Sequence, residues 1–513
     1  MSMRPRATLL VSGLTAVLLL VPLWPAVSQE APVGILHEVG AETFEPTIGA
    51  APDGSLYYAL ANEPGVAIGW SPGIARSTDG GESWTEVTPQ VAGEKMPPET
   101  NDPYIYVDPG TGRAFQFHMS PILTCSVMSW TDDGGQDWDT NPVGCGPTGV
   151  WDHQSIVAAE PRTVTTNGYP RVLVQCVNAI YAAMCSQSLD GGSTWLPSRP
   201  AYENRNIEDT CGAQHGHLAS GPDGTIYLPT SHCGTAPTVY VSQDDGVTWR
   251  ESTISTIDTP FVDPSVSVDS ENNVYATFID ESGWLYFSVS RDGAETWSAP
   301  VRVADGVTTN MPVIVAGDPG RVSISYPGTD DLPDGYATDE YPTAPRSDAS
   351  SNHWRDRAVW DGYFSLSANA LDDVPTFTTL TVNGDDPLVR GAACVAATRC
   401  DYFIDFLEQV TTPTGQPYAA FVDGCTETCA TTEGAQNDRD TGDAVVGKVE
   451  GFDLCAETCW QFVGATPQVV SPTTLLPVPD PWLLRKTGHE ALSPDMRRLQ
   501  RKAIRQRLDA MPG

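Results

Sequence analysis

Ser77-Thr78-Asp79-Gly80-Gly81-Glu82-Ser83-Trp84 sets a pattern, Ser/Thr-x-Asp-x-Gly-x-x-Trp, that returns four times. The copies are TDDGGQDW (131–138), SLDGGSTW (188–195), SQDDGVTW (242–249) and SRDGAETW (290–297), the last with Ala294 replacing a glycine. Their tryptophans, Trp84, Trp138, Trp195, Trp249 and Trp297, stand 54, 57, 54 and 48 residues apart. A period of that size belongs to solenoids and propellers. Within each copy Asp and Gly build a tight turn between two strands, the Asp accepting backbone N–H groups, and the Trp packs its ring over the turn. These aspartates are folding devices and are not assigned to catalysis.

A second module precedes each box. It opens on a polar residue, often followed by Pro, and continues as two strands of alternating apolar and β-branched residues around a turn. The openers read as Glu45, Asp102, Asp152, Gln214, Asp263, Met311 and Asp401. Five modules lead to clear boxes. The sixth leads to a worn one at 367–377, with Asn369 in the Asp position, and the seventh to the strand-like Ala444-Val445-Val446-Gly447. The expectation is an all-β chain, a seven-bladed β-propeller of four-stranded antiparallel blades, with six blades as the alternative partition of the worn stretch from 300 to 400. The strand from Gly34 to Val39 is placed to close the ring by pairing into the last blade.

The boxes resemble the Asp-box (BNR) repeats of the sialidase-like propeller superfamily, over about 45–460. The resemblance implies a propeller and a function among glycan-active enzymes or partner-binding propellers. Sialidases of that superfamily clamp a carboxylate with three arginines, the first in an Arg-Ile-Pro motif at the start of blade one. Here that place reads Phe44-Glu45-Pro46, and the family's catalytic residues are not carried over.

Lys and Arg number 28 against 65 Asp and Glu, a net charge of −37, which repels phosphate backbones and argues against nucleic-acid partners. The hydrophobic share of 40% can fill a large core, and a charged share of 18% is too low for a coiled coil or a charged disordered chain. The N-terminus reads as a signal peptide, 1–28: Arg4 and Arg6, an uncharged apolar run from Ala7 to Val21, and Ala26-Val27-Ser28 before the cut. A propeller over 29–465 and a Pro-rich linker with a basic, helix-compatible tail over 466–513 complete the domain reading. The expected protein is secreted, monomeric and without a transmembrane segment. Its 12 cysteines read as disulfides in an exported chain. Local pairs are Cys125 with Cys145, Cys176 with Cys185, Cys211 with Cys233 and Cys394 with Cys400. Pairing within Cys425, Cys429, Cys455 and Cys459 stays open, as does a zinc site there.

Equivalent openers of a ring converge on its axis, so Glu45, Asp102, Asp152, Asp263 and Asp401 are expected to crowd one channel mouth. Like charges brought together raise one another's pKa, giving a carboxyl pair for glycoside cleavage or a Ca²⁺ site; the plainer reading is that each acid caps its own strand. Glu45, Asp102, Asp263 and Asp401 are the catalytic candidates. His153 and His215 follow their openers by one residue, and alternation would turn them to the other side. Both are kept as substrate-binding candidates. The insertion 328–358 adds Tyr336, Trp354, Arg355 and Arg357 as a sugar-binding overhang. Asp438, Asp440 and Asp443 have the spacing of a short calcium loop. Two functions fit: a secreted, sialidase-like glycoside hydrolase, or a propeller that only binds a glycan or protein at a cell surface.

Overall fold

The computed structural model describes residues 31–64, 69–119, 126–143, 152–179, 182–203, 215–231, 236–260, 262–331, 358–390, 407–432 and 442–464. The N-terminal segment 1–28, the tail beyond 464 and most of the 328–358 insertion lie outside them.

Seven antiparallel sheets follow one another around the ring, and the seven-bladed partition holds. Each of the first five blades takes its four strands in chain order, as in blade one: Ile48–Ala50, Leu56–Pro64, Trp70–Ser77 and Thr85–Glu86. Blade six carries two additional short strands, Thr308–Thr309 and Val389–Arg390. Blade seven is composite. Its inner three strands are Gln409–Thr411, Pro417–Asp423 and Gly442–Glu450, and its outer strand is the N-terminal Val33–Thr43. That strand pairs with Gly442–Glu450 from Val33 opposite Glu450 to Thr43 opposite Gly442, closing the ring as the sequence suggested.

Second strands are covered on both faces by neighbouring blades. Val172–Asn178 and Val274–Ile279 are accordingly buried along their whole length and read as apolar runs, whereas the outer Thr85–Glu86 is exposed. The box chemistry recurs as expected. Ser77 Oγ donates to Asp79 Oδ1 (2.8 Å), Asp79 Oδ1 accepts Ser83 N–H (2.9 Å), and Trp84 Nε1–H donates to Gly81 O (3.1 Å). Asn369 performs the Asp role in the worn box, accepting from Ser367 Oγ at 3.2 Å and Thr376 N–H at 3.0 Å. The box tryptophans are half-buried rather than sealed. Trp138 and Trp297 donate backwards onto the preceding blade, to Val87 O and Ser252 Oγ.

Cys176 and Cys185 face each other on neighbouring strands of blade three and are bonded, with Cα atoms 4.1 Å apart. The open quartet resolves into two local disulfides, Cys425–Cys429 and Cys455–Cys459, which removes the zinc alternative. The three remaining pairs lie outside the described residues. After Glu450 the chain runs across the far end of the channel. Leu454 N–H donates to Gly415 O, Asp318 N–H to Leu454 O, and Cys459 N–H to Pro413 O, at 2.8, 2.8 and 3.1 Å. Gln461 Nε2 donates to Ala316 O at 2.9 Å. This strap lays Trp460, Gln461 and Phe462 against the channel and leaves the opener end as its mouth.

Candidate functional site

Inter-blade hydrogen bonds fix which residues of the inner strands are equivalent. Two places after the opener, a side-chain oxygen accepts an N–H of the next blade. Thr47 accepts from Ile105 (2.8 Å), Tyr104 from Ile156 (3.3 Å), Ser155 from Leu218 (2.7 Å) and Ser265 from Ile314 (3.2 Å). Counting back from this row, the openers of blades three and four are His153 and His215, not Asp152 and Gln214. The expected alternation is corrected: the histidines are in register with Asp102 and Asp263. The physical reason is the missing proline. Blades one, two, five and six mark the opener with a following Pro, and blades three and four do not.

The opener row is strained. Glu45, His153 and Met311 hold φ of 45°, 51° and 42°, in the left-handed region that costs a non-glycine residue about 1–3 kcal/mol. His153 Nδ1 lies 3.1 Å from Asp263 Oδ2 and 3.2 Å from the His215 carbonyl oxygen. A carbonyl can only accept, so Nδ1 carries the proton. His215 Nδ1–H donates to Gly216 O at 2.9 Å. Burial holds this imidazole neutral, its pKa lowered to about 3. Its Nε2 is buried and has no hydrogen-bond partner among the described residues. Glu45 and Asp102 are 0% and 3% exposed, whereas Asp263 keeps 11% of its side-chain surface. Asp263 lines a cleft at the mouth with His217, Met311 and Leu407, and neither Glu45 nor Asp102 does.

One row deeper, three positions break the stitching pattern, one of them the apolar Val313 of blade six. Blade four has His217 and blade seven Glu408 where other blades have Thr47, Tyr104, Ser155 or Ser265. Ala59 N–H donates to Thr47 O, and Ala420 N–H to Glu408 O, which confirms the equivalence. Blades four and seven are not neighbours, yet His217 Nδ1 and Glu408 Oε2 meet at 2.5 Å, across the channel. Glu408 Oε1 accepts Gln409 N–H at 3.1 Å, which fixes the carboxylate plane. The Tyr104 ring packs edge-on against His217, centroids 5.2 Å apart. Both partners are 17% exposed. His217 borders the mouth cleft on one side and the channel on the other.

Of the residues named from the sequence, Asp263, His153 and His215 stand together, and His217, Glu408 and Tyr104 were not named. Asp401, Tyr336, Trp354, Arg355, Arg357, Asp438 and Asp440 lie outside the described residues. Asp152 and Asp443 stand in the strands Asp152–Ala159 and Gly442–Glu450. Asp443 is opposite Asp423, whose pKa is raised to about 7 by burial, with Asp386, Asp443 and Glu38 adding repulsion. Among the described residues no group of three His, Cys, Asp or Glu side chains has a metal-binding arrangement.

Residues 172–321, spanning parts of blades three to six, match the family described as a BNR repeat-like domain. The match takes in the boxes at 188–195, 242–249 and 290–297. No curated protein matches the chain. Solved structures similar to it include a protein of unknown function from Dyadobacter fermentans, at 14% identity and a TM-score of 0.41, covering 83% of this chain and 100% of that one. A sialidase from Streptococcus pneumoniae is similar at 12% identity and a TM-score of 0.39, over 80% of this chain and 69% of that one. An α-L-arabinofuranosidase from Fusarium graminearum is similar at 14% and 0.38, over 56% and 92%.

Proposed function

We propose that this BNR propeller is an exported protein that binds and cleaves glycans at the channel mouth, with Asp263 and Glu408 as its carboxyl pair. The observation that carries the reading is the departure of His217 and Glu408 from the stitching row. In blades one, two, three and five that row holds neighbouring blades together. Here the two side chains meet across the axis, where a ligand entering the mouth would reach them.

Glycoside cleavage needs one carboxyl to protonate the leaving oxygen and another to assist attack at the anomeric carbon. His217 and His153 hold Glu408 and Asp263 in place. Glu45 and Asp102 are openers buried in the wall behind the mouth. Tyr336, Trp354, Arg355 and Arg357 remain the proposed sugar-contacting side chains of the insertion, and Ca²⁺ at Asp438, Asp440 and Asp443 a proposed structural ion. Disulfides, and the absence among the described residues of a helix long and apolar enough to cross a membrane, fit export.

The experiment is a panel of neutral and acidic glycans scored for both turnover and binding. Glu408→Gln and Asp263→Asn should each cut turnover by about 10²-fold or more while the unfolding midpoint stays put. The small mouth cleft, about 30 Å³, favours a second reading, a propeller that binds glycan without cleaving it. Binding without turnover on every panel member would establish that reading and reject the first.

A further inference from the structure

Below the His217–Glu408 bridge the channel encloses about 190 Å³, ending on the strap that carries Trp460, Gln461 and Phe462. An engineered apolar cavity of about 150 Å³ stays dry and takes up benzene. This chamber differs in its floor. Trp460 Nε1 and Gln461 Oε1 are buried and lack hydrogen-bond partners among the described residues, and both residues line the chamber. A donor and an acceptor left unsatisfied at one end of a cavity call for an occupant, since a buried polar atom without a partner costs about 1–3 kcal/mol.

We infer that the floor of the channel is a binding site for one small, uncharged, hydroxyl-rich molecule, a monosaccharide or a polyol. Hydroxyls both donate and accept, which suits an indole N–H donor beside an amide oxygen. The indole and the Phe462 ring offer apolar faces for the C–H side of a sugar ring. Neutrality follows from the charges present. Arg171 already lies 3.6 Å from Asp108 Oδ1 and 3.5 Å from Glu160 Oε1, so an anion gains little there. At the other end Glu408 is matched by His217. His217 lines both spaces and Glu408 the chamber, but the strap residues line the chamber alone, and Asp263 and Met311 line the cleft alone.

Titration calorimetry with D-glucose, D-xylose and glycerol, and crystals soaked in each, test this. At least one should bind saturably, with its hydroxyls on Trp460 Nε1 and Gln461 Oε1. Trp460→Phe keeps an aromatic face, though a smaller one, and deletes the N–H donor, so it should weaken binding at least about 3- to 10-fold, the worth of one hydrogen bond. Asp263→Asn lies outside the chamber and should leave the soaked sugar in place, so failure of the proposed mouth chemistry and failure of this site are told apart. Ordered water alone on the floor after soaking, or undiminished affinity in Trp460→Phe, overturns the inference.

Discussion

Ala294 holds φ of 65° at a position where the other four boxes place Gly81, Gly135, Gly192 and Gly246, at 81° to 96°. A side chain in that region costs about 1–2 kcal/mol, partly offset here by burial of one methyl group. Ala294→Gly should raise stability by about 0.5–1 kcal/mol, read as a higher denaturant midpoint with an unchanged slope. A lower midpoint would mean that the buried methyl outweighs the backbone. His118 and His215 carry a larger effect. Burial lowers both pKa values to about 3, below the unfolded value near 6.5. The unfolded chain therefore takes up protons first. Stability is intact above about pH 6.5 and falls as the pH drops toward 3, by on the order of 1 kcal/mol per pH unit for each histidine. Replacing His215 with Asn should flatten the stability difference between about pH 7 and 5 by about 1–2 kcal/mol. An unaltered slope in urea melts at the two pH values would show that this imidazole is not held neutral.

At the scale of the element, the box tryptophan packs over its turn while keeping part of its ring in water. Trp84 stands edge-on to Tyr58, with centroids 5.9 Å apart. Its replacement by Ala should cost about 2–3 kcal/mol, short of the 3–5 kcal/mol of a sealed aromatic. Calorimetric melts of the variant measure this. Blade seven stores a different term. Asp423, raised to about 7, carries its proton below that pH and is charged against Asp386, Asp443 and Glu38 above it. Its folded pKa lies above the unfolded one, so stability is lost as pH rises through about 4 to 7. Asp423→Asn should stabilise the fold at about pH 8 by about 1–2 kcal/mol, allowing for solvent screening, and by much less at about pH 4. If Ca²⁺ binds beside Asp443, it should raise the melting temperature at the higher pH and lose that effect in the variant. The elements were legible wherever local chemistry marks them: five boxes, seven strand pairs and the closing strand. The opener register was legible only where Pro follows. Without that mark Asp152 and Gln214 were read one residue early, and Glu408, with no box-like neighbour, was not read at all. No sequence pattern announces a pair such as His217 and Glu408, 191 residues apart, because the ring brings them together.

For the whole molecule the decisive contact is the clasp in blade seven. Joining Val33–Thr43 to Gly442–Glu450 closes a loop of about 400 residues, at a chain-entropy cost of on the order of 5 kcal/mol. That cost is met by a strand pairing from Val33 to Thr43 and by the packing of Leu36 and Val39 on the core. Without the clasp, Gly442–Glu450 becomes an open edge, a template for pairing with other chains. Gly34 is the sensitive point. A Cβ there would run into the Thr381 carbonyl oxygen and the Leu380 side chain of blade six, and the carbonyl cannot withdraw without moving its strand. Gly34→Val should therefore loosen the clasp while leaving six blades intact. Its expected signature is early hydrogen exchange confined to Val33–Thr43 and Gly442–Glu450, with a second, lower-temperature transition on heating. A synthetic peptide of residues 33–43 with the native glycine should suppress both signs when added in excess. If the variant melts in one transition at the native temperature, the ring is held shut by the inter-blade stitches alone, and the N-terminal strand merely covers an edge.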